Sequence, residues 1–172
     1  LTLDALDPKA YDVVFLATPA EASLELAPKI IAAGTDVIDL SGAFRLEPSV
    51  FEKWYALAHT APKLKATYGL VPWAAPAPKV AGQGRLIANP GCYATSILMA
   101  LVPMLRAKLI LADTLVIDSK SGATGAGKKA AESLLFCEVD GDCLPYRVGK
   151  HQHLPEIQAY AEKFGGTEPG SI

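Results

Sequence analysis

Residues 86–104 read L-I-A-N-P-G-C-Y-A-T-S-I-L-M-A-L-V-P-M, and this stretch decides the fold of the chain. A short apolar run ends in Asn89-Pro90-Gly91, and an apolar pattern with helical spacing follows directly from Cys92. Proline fixes φ and glycine reaches backbone angles that are closed to other residues, so the three residues predict a tight turn from a strand into a helix. Because the helix is apolar almost all round, we expect it to be central, with Cys92 in its first turn.

The position predicted for Cys92 suits a nucleophile. Unpaired backbone N–H groups and the positive end of the helix dipole gather at a helix N-terminus. A thiol placed there ionises more readily than a free thiol, and the thiolate is the nucleophilic form. The same N–H groups can stabilise an oxyanion. The alternative is a buried structural cysteine, which is the usual role of a free thiol.

Upstream of this stretch, the sequence predicts a β–α–β unit. The apolar run at 12–17 is typical of a strand buried on both faces, residues 20–33 have helical spacing, and residues 37–40 form a second strand. Such a unit is half of a doubly wound nucleotide-binding sheet, whose ligands bind at the carboxyl ends of the strands. Arg45 follows one of these ends, where its guanidinium either grips a phosphate or pairs with a nearby carboxylate.

Downstream, weaker patterns predict a second part of the fold. Residues 74–84 are rich in alanine, proline and glycine, so we expect an irregular segment there and divide the chain into domains 1–85 and 86–172. The predicted fold class is α/β, with a partial doubly wound (Rossmann-type) parallel sheet plus part of an α+β catalytic domain. The remaining predicted elements are a helix at 48–57 with Trp54 and Tyr55 packed inward, strands at 114–119 and 144–148, a glycine-rich loop at 121–127, and helices at 128–136 and 155–164.

The composition narrows the range of partners. Of the 172 residues, 51% are hydrophobic and 20% are charged, with a formal net charge of −2, so the chain has no basic footprint for nucleic acid. No apolar run approaches the roughly 18 residues that a membrane helix needs. Three cysteines do not suggest a disulfide framework, and we therefore expect a reducing, cytoplasmic setting.

Two of the three histidines bracket a single residue in the run H-Q-H-L-P-E, residues 151–156. A histidine beside Cys92 can pair with the thiolate or pass protons. Glu156 can orient a histidine or bind a substrate amine or amide. A hydrated loop before a helix explains Pro155 and Glu156, because both are favoured in a first helical turn, but it does not explain the two histidines.

Two further groups of residues have spacings that suggest a nucleotide-triphosphate site or a zinc site, but neither spacing matches its motif. Residues 122–128 have the spacing of a P-loop, but that motif requires serine or threonine where Lys129 stands. The loop is better suited to an anionic cofactor, or is a structural turn. Cys137 and Cys143, together with the H-x-H run, do not have the spacing of a zinc site, and we expect no metal.

Five motifs together resemble one family. They are D-L-S-G-A-F-R-L (39–46), Y-G-L-V-P (68–72), A-N-P-G-C-Y-A-T (88–95), S-G-A-T-G-A-G (121–127) and Y-R-V-G-K-H-Q-H-L-P-E-I (146–157). In this order they resemble the N-acetyl-γ-glutamyl-phosphate reductases of the semialdehyde dehydrogenase superfamily. The family's first strand and glycine-rich turn are not in this sequence, so the resemblance implies an interior fragment.

The resemblance implies a reaction in arginine biosynthesis. Cys92 attacks the acyl phosphate of N-acetylglutamyl phosphate, phosphate leaves, and NADPH reduces the resulting thioester to the semialdehyde. His151 is implied as the acid/base partner of Cys92, while Arg45, Asn89, His153 and Glu156 are implied in substrate binding. The implied cofactor-binding residues for NADP(H) are Thr18, Pro19, Ser41, Ser121, Gly122, Gly125 and Gly127. A homo-oligomer, either a dimer or a tetramer, is implied for the complete enzyme.

Other functions stay open on the sequence. Ala43 stands where the family usually has aspartate, and Lys128 where arginine is common. Aspartate-semialdehyde dehydrogenase and the N-acetyl-aminoadipyl-phosphate homologue are close alternatives within the superfamily. From other classes, a Cys–His hydrolase without nicotinamide or a non-catalytic binding fragment would use the same residues.

Overall fold

The structure is a computed structural model that describes residues 6–71, 73–78, 80–128 and 130–172. Pro72 in the motif at 68–72, and Lys129 in the predicted helix at 128–136, lie outside the described residues. The strands are β1 (Val13–Leu16), β2 (Asp36–Asp39), β3 (Thr67–Tyr68) and β4 (Leu86–Ala88). The α-helices are α1 (Ala20–Ala32), α2 (Pro48–Tyr55), α3 (Cys92–Arg106), α4 (Phe136–Val139) and α5 (Leu154–Gly165).

The four strands form one parallel sheet in the order β1-β2-β4-β3. Leu16 lies opposite Asp39, Asp39 opposite Ala88, and Ala88 opposite Tyr68. Because all four strands run in the same direction, their carboxyl ends meet at one edge, which we call the carboxyl edge. The predicted β–α–β unit, the strand at 86–88 and the α/β class are confirmed.

Two hydrophobic clusters hold the elements in place. The first packs α1 and α2 against the sheet, and its most buried side chains are Ala27, Ile30, Val37, Ala43, Phe51 and Ala88. The second joins α3, α5 and β3 through Tyr68, Ala94, Leu98, Val102 and Ala161. The second cluster therefore brings the helix that starts at Cys92 beside the helix that follows the histidines. No helix in the described ranges is long and apolar enough to cross a membrane.

Two packing predictions differ from the structure, and a third is confirmed in part. β1 is not buried on both faces, because the side chain of Phe15 is 62% exposed. α3 is not buried all round, since Met99 and Met104 are exposed while Leu98 and Val102 of the same helix are buried. In α2 the half-buried Tyr55 packs against the core as predicted, with its ring centroid 4.7 Å from that of Phe51. The fully buried residue of this helix is Phe51, and Trp54 is only half-buried. Apolar content alone does not show which face of an element has a neighbour to pack against.

The strands predicted at 114–119 and 144–148 and the helix predicted at 128–136 are wrong for the described residues. Short 3-10 helices (Ala112–Thr114, Ala123–Ala126 and Glu132–Leu134) and α4 occupy this region instead. Val116 is 95% exposed, so no neighbouring strand covers it. A strand needs a partner for its backbone hydrogen bonds, and a short helix without a packed face is only marginally stable.

Candidate active site

Cys92 is the first residue of α3 and lies at the carboxyl edge of the sheet. The turn before it stays attached to β2, because the backbone N–H of Asn89 donates to the carbonyl of Asp39 at 2.8 Å. The thiol of Cys92 is free and exposed. α3 has no side-chain cap, and within the described residues the N–H groups of Cys92 and Tyr93 donate to no protein acceptor. The predicted strand–turn–helix is confirmed, and it presents a thiol beside open hydrogen-bond donors.

Two neighbouring side chains come so close to the backbone at position 91 that only glycine fits there. A Cβ at this position would lie 2.6 Å from His153 Nε2 and 2.9 Å from Arg45 Nη1. Its φ of −65° is open to any residue, so conformational freedom is not the reason for the glycine. The imidazole of His153 therefore packs directly against the turn that carries Cys92.

His151 lies beside His153, with ring centroids 4.8 Å apart, and beside Tyr93, with centroids 5.2 Å apart. The backbone N–H of His153 donates to Nδ1 of His151 at 3.1 Å. Because that nitrogen is an acceptor, the neutral imidazole carries its proton on Nε2, which lies 3.4 Å from Tyr146 Oη. The hydrogen-bond geometry therefore makes His151 Nε2–H a donor.

Both imidazoles are shifted towards their neutral forms. Burial lowers the pKa of His153 to about 4, with smaller contributions from Arg45, His151 and Arg147. Burial, and then the charge of Arg147, lowers the pKa of His151. In the described part of the chain, no hydrogen bond joins the Cys92 sulfur to either ring. The arrangement therefore favours two neutral imidazoles over a standing imidazolium–thiolate pair.

Tyr146 completes the group of side chains at the start of α3. Burial raises the pKa of Tyr146 to about 12, with further contributions from Tyr93 and from the nearby charge of Cys92. Its ring centroid is 5.5 Å from that of His151. The sequence prediction missed both tyrosines, and the only available signal was their place within the motifs at 88–95 and 146–157.

Glu156 is fully buried and closed to the solvent. Its Oε1 accepts the hydroxyl of Tyr68 at 2.7 Å and the backbone N–H of Gly91 at 2.8 Å. Its Oε2 lies 3.5 Å from Arg45 Nη1. The implied substrate-binding role of Glu156 does not match this arrangement, because every contact that the carboxylate makes is internal.

Arg45 is also buried, with 6% of its surface exposed. Its Nε donates to the carbonyl of Asn89 at 2.8 Å and its Nη2 to the carbonyl of Leu40 at 2.7 Å, while Nη1 faces Glu156. The sequence left open a phosphate grip or a surface arginine paired with a nearby carboxylate, and the structure shows the carboxylate pair, with Glu156, at a buried arginine. A buried cation has to satisfy its donors internally, and here two carbonyls and a carboxylate do so.

The other implied residues divide into two groups. Asn89, Thr18, Pro19 and Ser41 all lie in loops at the carboxyl edge, where Thr18 shares a 2.8 Å hydrogen bond with Ser23 and Ser41 donates to Asp39. The residues of the glycine-rich loop, Ser121, Gly122, Gly125 and Gly127, are exposed. No described hydrogen bond joins this loop to the other group. Among the described residues, no cluster of three or more histidine, cysteine, aspartate or glutamate side chains could hold a metal ion.

The sheet is parallel, as in nucleotide-binding folds, and a thiol and two imidazoles lie at its carboxyl edge. These features define an α/β protein with a cysteine–histidine site. Comparison with known families identifies two domains in the chain. Residues 1–81 match the NAD binding domain of semialdehyde dehydrogenase, and residues 92–171 match the semialdehyde dehydrogenase dimerisation domain. The chain belongs to the semialdehyde dehydrogenase family.

The chain is also similar to individual members of that family. It is 45% identical over 165 residues to an N-acetyl-gamma-glutamyl-phosphate reductase of Bacillus cereus (strain AH187), a match that covers 94% of this chain and 47% of the relative. It is 42% identical over 173 residues to the reductase of the same name from Acidithiobacillus ferrooxidans, covering 97% of this chain and 49% of the relative. The chain spans about half the length of the curated relatives it matches.

Proposed function

We propose that the protein containing this chain reduces N-acetylglutamyl 5-phosphate to N-acetylglutamate 5-semialdehyde and phosphate, as a step of arginine biosynthesis. The observation that carries this proposal is the exposed thiol of Cys92 at the uncapped start of α3, with His151 and His153 beside it. The reductase names of relatives that are 42% and 45% identical support the choice of substrate.

The geometry suggests how these residues perform the first half of the reaction. The Cys92 thiolate attacks the acyl carbon, a C–S bond forms, and the C–O bond to the phosphate breaks. The open N–H groups of Cys92 and Tyr93 stabilise the oxyanion that develops on the acyl oxygen. Because Asn89 and His153 lie next to this position, we propose that they contact the substrate.

Reduction completes the cycle at the same sulfur. NADPH, when bound, supplies the hydride that reduces the thioester. The Nε2–H group of His151 donates a hydrogen bond to the oxyanion of the resulting thiohemiacetal and keeps its proton, as its hydrogen-bonding pattern allows. The C–S bond then breaks, the semialdehyde leaves, and Cys92 regains its thiolate.

The carboxyl edge fits a dinucleotide. α1 begins at Ala20 without a side-chain cap, so its first N–H groups are open to a phosphate beside Thr18 and Pro19. Ser41 follows β2 at the same edge, and the match to an NAD binding domain covers all these residues. We propose that they hold NADP(H), together with the glycine-rich loop at 121–127.

We also infer a cytoplasmic homo-oligomer, a dimer or a tetramer, with a domain division between residues 85 and 86. The three cysteines are free, as is usual in a reducing compartment. Residues 92–171 match a dimerisation domain, and large apolar side chains in this part, including Val116 and Phe136, are exposed in the single chain. Exposed apolar groups of this size are typical of an interface.

The test is the reverse reaction of the complete protein: phosphate-dependent reduction of NADP⁺ by N-acetylglutamate semialdehyde. We expect Cys92→Ser to lower kcat by about a thousandfold or more, because the covalent step is lost. Cys137→Ser is the matched control, since Cys137 is also free and exposed, and it should retain the activity. Retained activity in Cys92→Ser would rule out the thioester, and thioester turnover without nicotinamide would favour a hydrolase.

A further inference from the structure

The starts of α3 and α5 meet at one buried carboxylate. Gly91 is the N-cap residue of α3 and His153 that of α5, and neither helix has a side-chain cap. Glu156 is the third residue of α5, where a glutamate commonly accepts the N–H of its own N-cap residue. Here the N–H of His153 donates to His151 instead, and Glu156 accepts the N–H of Gly91 from the other helix.

We propose that Tyr68, Arg45 and Glu156 form a positioning unit that fixes the direction in which Cys92 is presented. This inference rests on the proposed role of Cys92 as the nucleophile. None of the three residues is placed to touch the substrate, because all are buried behind the turn at 89–91. They act through the backbone on either side of the turn.

The turn is held at both ends by opposite charges. The Arg45 guanidinium binds the carbonyl of Asn89 at 2.8 Å, and the Glu156 carboxylate binds the N–H of Gly91 at 2.8 Å. The two charged groups face each other at 3.5 Å. With the Gly91 N–H engaged, the next two N–H groups are left for the oxyanion, so the unit determines both where the thiol lies and which donors are open.

Tyr68 orients the carboxylate. Its hydroxyl donates to the same Oε1 that binds Gly91, at 2.7 Å, and its ring stacks on Tyr160 with centroids 3.4 Å apart. Burial and the neighbouring charge of Glu156 raise the pKa of Tyr68, so it remains a hydrogen-bond donor. Since Tyr68 ends β3 and Glu156 lies in the first turn of α5, this bond joins the sheet to α5.

The experiment compares Tyr68→Phe with Tyr160→Phe in the complete protein. Both changes remove one hydroxyl from the same stacked pair, but among the described residues the hydroxyl of Tyr160 donates to the backbone carbonyl of Arg45 and not to the Glu156 carboxylate. The first measurement is alkylation of Cys92 by iodoacetamide, read by peptide mass spectrometry against the exposed Cys137 as an internal reference. The second is the separation of kcat from KM.

We expect Tyr68→Phe to lower kcat about tenfold with KM within about twofold, because an interaction that only orients the nucleophile is lost. The ratio of Cys92 to Cys137 alkylation should fall severalfold, and Tyr160→Phe should leave both quantities within about twofold of wild type. Equal values in the two variants would overturn the proposal. So would a lower melting temperature in Tyr68→Phe with an unchanged alkylation ratio, because that result describes a structural role alone.

Glu156→Gln and Glu156→Ala provide an independent arm if Tyr68→Phe does not fold. Glutamine keeps an acceptor for the Gly91 N–H, so it should retain more of the alkylation ratio than alanine does. Equal ratios in the two Glu156 variants would also overturn the proposal. The two proposals can fail separately. If the wild-type protein is alkylated selectively at Cys92 and the variants lose this selectivity, the positioning unit is supported. If that same wild-type protein does not reduce NADP⁺, the proposed reaction is rejected.

Discussion

At Gly91, a missing side chain lets an imidazole and a guanidinium approach the same turn. His153 and Arg45 both come within 3 Å of the place where a Cβ would lie. A second cation beside a buried guanidinium is unfavourable, so this crowding supports a neutral His153. Glu156, fully buried on the other side, balances the charge of Arg45. The missing side chain of Gly91 therefore allows neutral His153 and the Arg45–Glu156 ion pair to pack against the same turn.

Because folded His153 is held in its neutral form, the free energy of unfolding should depend on pH. Its pKa is lowered from 6.5 to about 4, so the unfolded chain binds a proton at a higher pH than the folded chain does. The free energy of unfolding should therefore fall as the pH falls from about 6.5 to about 4, by on the order of 2 kcal/mol, and the loss should level off below that window. Urea unfolding at several pH values measures this for wild type and for His153→Gln. Parallel curves for the two proteins would contradict the prediction, because the difference between them isolates this residue.

At the scale of elements, α2 ends at an alanine with a left-handed backbone conformation, and a substitution can relieve this strain. Ala56 has φ 52°, ψ 39° and caps the helix by donating its N–H to the carbonyl of Glu52. A left-handed conformation is unfavourable for alanine and easy for glycine, so Ala56→Gly should raise the free energy of unfolding by about 0.5–1 kcal/mol. Ala33→Gly is the matched control at the end of α1, where φ is −78°, and it should lower the same quantity by a similar amount. Stabilisation by both changes, or by neither, would show that backbone conformation does not decide the effect.

The helices and strands that could be predicted are those indicated by a pattern of neighbouring residues in the sequence. Proline and glycine at 90–91 mark the start of α3, and the apolar runs of β1 and β2 mark a parallel unit. The Tyr68–Glu156 hydrogen bond joins residues 88 positions apart, and no local pattern indicates it. For the same reason the sequence left the role of Arg45 open between a phosphate grip and a surface ion pair, whereas its partners are two loop carbonyls and the buried carboxylate of Glu156. The strand predicted at 114–119 had a local signal but has no neighbouring strand in the described structure.

At the scale of the whole molecule, the sheet with its packed helices and the segment 109–148 differ in how completely they bury their apolar side chains. In the sheet and its helices, Val37, Phe51 and Leu98 are fully buried. Across residues 109–148 the pattern reverses, since Val116, Phe136 and Val148 are 95%, 77% and 78% exposed. This region falls within the part that matches a dimerisation domain. The contrast is best explained by a second surface that covers these side chains in the proposed homo-oligomer.

Phe136→Asp tests that explanation directly. A charge buried in an interface without a partner is strongly unfavourable, so the variant should have a lower molar mass than wild type by size-exclusion chromatography with light scattering. Val71→Asp is the control, because Val71 is 78% exposed, close to the 77% of Phe136, but belongs to the part that matches the NAD binding domain. It should leave the molar mass unchanged. If Phe136→Asp keeps the wild-type mass at every concentration tested, the exposed side chains of residues 109–148 are not the subunit interface, and another segment of the complete protein must cover them.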